Sequence, residues 1–112
     1  MNLDTLADRL HNTAQQKGFW EPLSRMEEQD FFIFYSKQIA MIHSEATEIL
    51  EALRKDKGDE AVVEEIADLI IRTLDLYKGI KIYSGDLPSL DKILMKKSLT
   101  NQERPRLHGV RG

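Results

Sequence analysis

Glu45 and Glu48 stand three residues apart in 43-HSEATEIL-50, and Glu65 and Asp68 stand three apart in 64-EEIADLII-71. Successive residues of a helix turn by about 100°, so side chains three apart point within about 60° of each other and can converge on one ion. Four carboxylates brought together without a cation would repel and could not all stay ionised. A hard divalent ion such as Mg²⁺ or Mn²⁺ resolves that repulsion, and Mg²⁺ keeps coordination positions for water and substrate phosphate. The chemistry on offer is a divalent-cation site. One Glu-x-x-Glu alone is more often a solvated helix face. Two pairs on adjacent helices joined by a turn at Lys57 and Gly58 differ, because an antiparallel hairpin carries each pair toward the other. From spacing alone, a metal site and a set of solvated acids both fit.

The elements that must position these residues follow from periodicity and breakers. Leu3, Leu6, Ala7, Leu10 and Ala14 predict a first helix over 3–17, with Asn2 or Asp4 as N-cap and Gly18 as its stop. The segment FWEPLSRMEEQD reads as an irregular arm. A long second helix is expected from about Asp30 to Lys57, with Ile39, Ile42, Ala46, Ile49 and Leu53 in one stripe. Its opening FFIFY is apolar all round and predicts burial on several sides. Val62, Val63, Ile66, Leu69, Ile70, Thr73, Leu76 and Tyr77 predict a third helix from about Asp59 to Lys78, ended by Gly79. Asp86 is the expected cap of a short fourth helix with Pro88 in its first turn, running to about Lys97. Residues 96–112 then form a basic tail. The fold class is all-α, a bundle of about four helices in one domain over 1–112.

Composition narrows the class further. At 112 residues with 41% hydrophobic residues, the chain suffices for one modest core. Four helices cannot bury FFIFY, the stripe of the second helix and the broad face of the third in one small monomer, so completion by a homodimer or a dimer of dimers is expected. The absence of cysteine excludes disulfides, thiolate metal sites and a cysteine nucleophile. The first twenty residues lack the apolar stretch of a signal peptide, and no apolar run approaches a membrane span, so a soluble cytoplasmic protein without a membrane partner is expected. The net charge of -3 is unevenly spread. Asp59, Glu60, Glu64, Glu65, Asp68 and Asp75 face only Arg72 over 59–75, whereas Lys96, Lys97, Arg104, Arg106 and Arg111 face only Glu103 over 96–112. An acidic helix with a basic tail suits a metal ion beside a phosphate better than a nucleic-acid surface, which asks for one broad basic face.

The order of these features resembles a known family. Glu45-x-x-Glu48 followed by Glu65-x-x-Asp68, with GFW at 18–20, MIHSEATEILEALR at 41–54, EEIADLIIRTLDL at 64–76, then Lys97, Asn101, RP at 104–105 and HG at 108–109, is similar to the MazG-like all-α nucleoside triphosphate pyrophosphohydrolases, in particular the short single-domain bacterial and phage type. The resemblance covers nearly the whole chain. It implies hydrolysis of a nucleoside triphosphate, commonly a deoxynucleotide, to the monophosphate and pyrophosphate. It also implies that Glu45, Glu48, Glu65 and Asp68 hold Mg²⁺, with Mn²⁺ a substitute, and that Lys97 and Asn101 contact phosphate or sugar.

Other residues carry weaker signals. Lys97 and Arg104 could stabilise charge on the leaving pyrophosphate. Trp20 follows a helix-ending glycine and suits either a base-stacking role or a core anchor. His43 adjoins the apolar stripe and is expected to be packed and hydrogen-bonded. Arg72, one turn beyond Asp68, is expected to pair with it along the helix. Lys37 reads as solvated, and Glu51 and Glu64 are reserve ligands. A ferritin-like di-metal centre is excluded, since neither His11, His43 nor His108 has a Glu three residues before it. The rival from another class is a non-catalytic helical interaction module whose acids are merely solvated.

Overall fold

The computed structural model describes residues 2–106, and the expected HG element at 108–109 lies outside them. Four helices follow in order: α1 (Leu3–Gln16), α2 (Phe31–Arg54), α3 (Asp59–Ser84) and α4 (Leu90–Glu103), with short 3₁₀ turns at Glu21–Arg25 and Glu28–Asp30 in the arm. No strand occurs among the described residues, and no helix among them is long and apolar enough to cross a membrane. The all-α expectation holds. α2 and α3 form the antiparallel hairpin, α1 lies along α3, and α4 meets α1 through its first turn.

Turn chemistry fixes these directions. At the end of α1, Gly18 takes φ +81°, its N–H reaches the Gln15 carbonyl at 3.0 Å, and the Phe19 N–H reaches Ala14 at 3.1 Å. That paired closure satisfies two orphan carbonyls and reverses the chain, so Phe19 and Trp20 return toward the bundle. The same closure ends α2, where Asp56 adopts φ 51° and Lys57 N–H reaches Ala52 at 3.1 Å. A short acidic side chain tolerates this left-handed position better than most residues.

Four element boundaries differ from the sequence reading, the first being the end of α2 at Arg54, short of Lys57. α3 passes through Gly79 and ends at Ser84, before Gly85 at φ 143°. A lone glycine in a helix costs only about 1 kcal/mol relative to alanine, and here the Trp20 ring lies where a Gly79 side chain would be. α4 is capped by Ser89, which accepts from Lys92 N–H at 3.3 Å, not by Asp86, and it runs past Lys97 to Glu103. Pro88 precedes the cap. Asn101 therefore sits on a helix, not in a tail.

The core is small and gathers around the arm. Trp20, Leu23, Phe34 and Ala14 form its centre, with Met26, Phe31, Tyr35, Leu76 and Tyr83 against it. Trp20 stacks on Tyr83 at 5.8 Å between ring centroids and tilts against Phe34 at 5.1 Å. FFIFY is only partly absorbed: Phe34 is buried and Phe31 and Tyr35 half-buried, but Phe32 is 76% and Ile33 64% exposed. A helix buries one side against a single neighbour, so an all-round apolar segment keeps an open side in one chain.

Candidate functional site

The hairpin brings three of the four expected carboxylates together. Because α2 and α3 run antiparallel from a tight turn, Glu45 of α2 comes opposite Asp68 of α3, and one oxygen each from Glu45, Glu65 and Asp68 lies within 4.8 Å of the others. A six-coordinate Mg²⁺ with bonds of about 2.1 Å spans ligand oxygens roughly 3 to 4.2 Å apart, so small side-chain rotations close this set on one ion. The donors are all oxygen, which suits a hard cation. Glu48 stands one turn along α2, exposed and outside the triplet, yet its charge reaches Glu65. Partial burial, then the charges of Asp68, Glu48 and Glu45, push the Glu65 carboxyl above its usual range. Neither Glu51 nor Glu64 joins; Glu51 pairs with Arg54 and Lys55 instead.

Arg72 corrects the expectation of a pair along its own helix. Its Nε donates across the hairpin to Glu45 Oε1 at 2.8 Å. The fork thus offsets part of the acidic cluster and occupies one Glu45 oxygen. His43 is exposed on α2, not packed, as are Ile39 and Leu53 of the stripe it adjoins.

The acidic triplet opens into a cleft of about 440 Å³ bounded by α1, α2, α3 and the turn after α1. Glu45, Asp68, Arg72 and Asp75 line one side, while Leu10, Thr13, Ala14, Lys17, Phe19 and Ile71 line the rest. Carboxylates, two cations and an apolar wall thus share one recess, the mixed lining of a small-molecule pocket. No protein-family model, curated protein or solved structure matches the chain. The geometry of the cleft, together with the motif, therefore carries the functional reading.

Trp20 takes the second of its two expected roles, the core anchor. It is 2% exposed and cannot stack on a base; its indole N–H donates to both oxygens of Asp75, at 2.9 and 3.1 Å. Its neighbour Phe19, 61% exposed, takes the place at the lip of the cleft. The turn at Gly18 decides between them, and that glycine was the signal in the sequence.

Lys97, Asn101 and Arg104 lie elsewhere. Lys97 and Asn101 line a shallow recess on α4 with Leu94, Ser98 and Gln102, and Arg104 caps the same helix. None of the three lines the cleft of its own chain.

Sequence reasoning missed a buried polar cluster behind the cleft. His11 of α1 is fully buried, and its Nδ1 lies 2.7 Å from Asp75 Oδ1 of α3. Its Nε2 has no hydrogen-bond partner among the described residues, so a ring with the proton on Nδ1, donating to Asp75, leaves only a bare lone pair unpaired. Burial pushes the Asp75 carboxyl up, and the His11 and Trp20 hydrogen bonds pull it back. The pairing depends on the register between α1 and α3, which no local pattern encodes.

Proposed function

We propose that the protein is a Mg²⁺-dependent nucleoside triphosphate pyrophosphohydrolase of the MazG-like type, cleaving a nucleoside triphosphate to the monophosphate and pyrophosphate. The observation that carries this reading is the convergence of Glu45, Glu65 and Asp68 from facing helices at the edge of a cleft with an apolar wall. Glu48, one turn away, completes the four-carboxylate set by side-chain rotation. Glu45, Glu65 and Asp68 would hold a divalent ion, which would supply neutralisation of phosphate charge and a more acidic water.

The chain's own groups supply binding and orientation. Arg72 and Lys17, both at the cleft, take up negative charge on the phosphates, a charge-assisted contact stronger than a neutral hydrogen bond. Phe19, Leu10 and Ile71 offer apolar surface to the base and sugar and keep water from that end of the recess. The exposed apolar residues on α2, α3 and α4 support assembly as a dimer or a pair of dimers. In such an assembly Lys97, Asn101 and Arg104 reach substrate only from a second copy, since they lie away from their own cleft.

Phosphorus NMR of a deoxynucleoside triphosphate incubated with the protein and Mg²⁺ tests the reading. Monophosphate and pyrophosphate are the expected products. Diphosphate and inorganic phosphate would place the cleavage at the wrong bond, and unchanged triphosphate would leave the non-catalytic interaction module as the better account.

A further inference from the structure

Asp75 is a carboxylate where packing alone does not ask for one. It lies two helical turns beyond Asp68 on the same side of α3, roughly 10.5 Å along the axis, and both residues line the cleft. A nucleotide whose triphosphate sat at Glu45, Glu65 and Asp68 would have Asp75 within the same cleft, within reach of its base. Phe19 and Ile71 flank that end with apolar surface.

The hydrogen bonding of Asp75 leaves one direction open. Oδ1 accepts from His11 at 2.7 Å and Trp20 at 2.9 Å, whereas Oδ2 has only a share of the same indole N–H, at 3.1 Å. The side chain keeps 15% exposure, and the cleft borders it. Arg72, one turn before, is turned to Glu45, so among the described residues no Lys or Arg side chain pairs directly with Asp75, although the Arg72 charge reaches it. A neutral amide would satisfy the indole N–H and the His11 ring without the cost of burying a carboxyl group. An acceptor-only group with a spare lone pair at the apolar end of a recess calls for a donor from the ligand.

Resting on the nucleotide reading above, we propose that Asp75 reads the base: it accepts a hydrogen bond from an exocyclic amino group, so the cleft takes amino-bearing bases in preference to thymine and uracil. Carboxylates accept from the cytosine amino group in nucleic-acid recognition for the same reason. The pairing-edge donor of uracil or thymine sits between two carbonyl oxygens, which would face the Asp75 carboxylate and repel it. The substrate class is thus a cytosine, adenine or guanine nucleotide.

The cleanest pair of probes is dCMP and dUMP, which differ at the pairing edge of the base. Calorimetry with the full chain in Mg²⁺ should show dCMP binding about tenfold tighter or more, the size of one hydrogen bond to a charged group. Asp75→Asn, whose amide oxygen stays on Trp20 and His11 and whose NH₂ then faces the ligand, should abolish or reverse the preference, because a donor there suits the uracil carbonyl and not the cytosine amino group. Equal or tighter binding of dUMP by the unaltered protein overturns the proposal, as does an unchanged preference in a folded Asp75→Asn. If that variant does not fold, the preference of the unaltered protein decides alone. Absence of binding by either monophosphate also overturns it. Pyrophosphate release from dCTP, measured on the same sample, separates the two claims. Base preference without release removes the enzyme and keeps the base reader, and release without base preference does the reverse.

Discussion

At the level of single residues, the carboxylates were legible because acid type and helical spacing are local properties. Glu45, Glu65 and Asp68 meet as the hairpin demands. Trp20 and Arg72 were not legible, because what they touch depends on how α1, α2 and α3 lie across one another: Trp20 reaches Asp75, and Arg72 reaches Glu45. Two substitutions test the cluster. Glu65→Gln removes a charge that its neighbours disfavour, so the metal-free protein should melt at the same or a higher temperature while Mg²⁺-dependent turnover disappears. Thermal melting with and without Mg²⁺ checks this; a lower melting temperature without metal would show that Glu65 supports the fold. Glu48→Gln should also abolish turnover if Glu48 closes on the ion, and near-normal turnover would remove it from the ligand set.

Among the helices, the junction of α1 and α4 is a reciprocal cap. Asp91 accepts from the Leu3 and Asp4 N–H groups at 3.0 and 3.1 Å, while Asp4 accepts from Leu90 N–H at 3.1 Å, Asp91 N–H at 3.3 Å and the Ser89 hydroxyl at 2.6 Å. Each carboxylate thus satisfies the orphan donors of the other helix and opposes its positive end. No sequence pattern announced it, since the partners are separated by most of the chain. Asp91→Ala should cost about 0.5 to 2 kcal/mol, as loss of an N-cap does, and raise hydrogen exchange in the first turns of both helices. The Ser89 hydrogen bond, followed by those from Tyr77 and the backbone, holds the Asp4 carboxyl far below its ordinary 3.8. A depressed value makes its contribution complete above pH 3.8 and lost as the pH falls through the lower folded value. The gap in melting temperature between the unaltered protein and Asp4→Asn should therefore hold steady above that pH and shrink in stronger acid. A gap that widens on acidification would contradict the cap. Gly79 belongs to the same scale. In an open helix Gly→Ala gains about 1 kcal/mol, but here the added methyl overlaps the Trp20 ring, and overpacking costs roughly 1 to 3 kcal/mol. Gly79→Ala should lower the denaturation midpoint; a rise would mean that Trp20 is free to move aside.

For the whole molecule, the described chain is larger than its length requires. Its radius of gyration is 16.4 Å, against about 13 Å for a compact domain of this size. Ile39, Leu50 and Leu53 of α2, Val63, Ile66 and Ile70 of α3, and Met95 and Leu99 of α4 remain exposed. The sequence held that imbalance, since its apolar residues outnumber the positions four helices can enclose. Which faces stay open needed the packing. Sedimentation at micromolar concentration should show a dimer or a larger even assembly, and a fully active monomer would contradict that expectation. If the acids of the α2–α3 hairpin hold the ion on which triphosphate cleavage depends, pyrophosphate release from a panel of deoxynucleoside triphosphates, measured for the unaltered protein and folded Asp68→Asn with Mg²⁺ and with chelator, separates the cases. Release is expected only from the unaltered protein with Mg²⁺; release by Asp68→Asn at a similar rate, or release that survives chelation, would show that these acids do not hold such an ion.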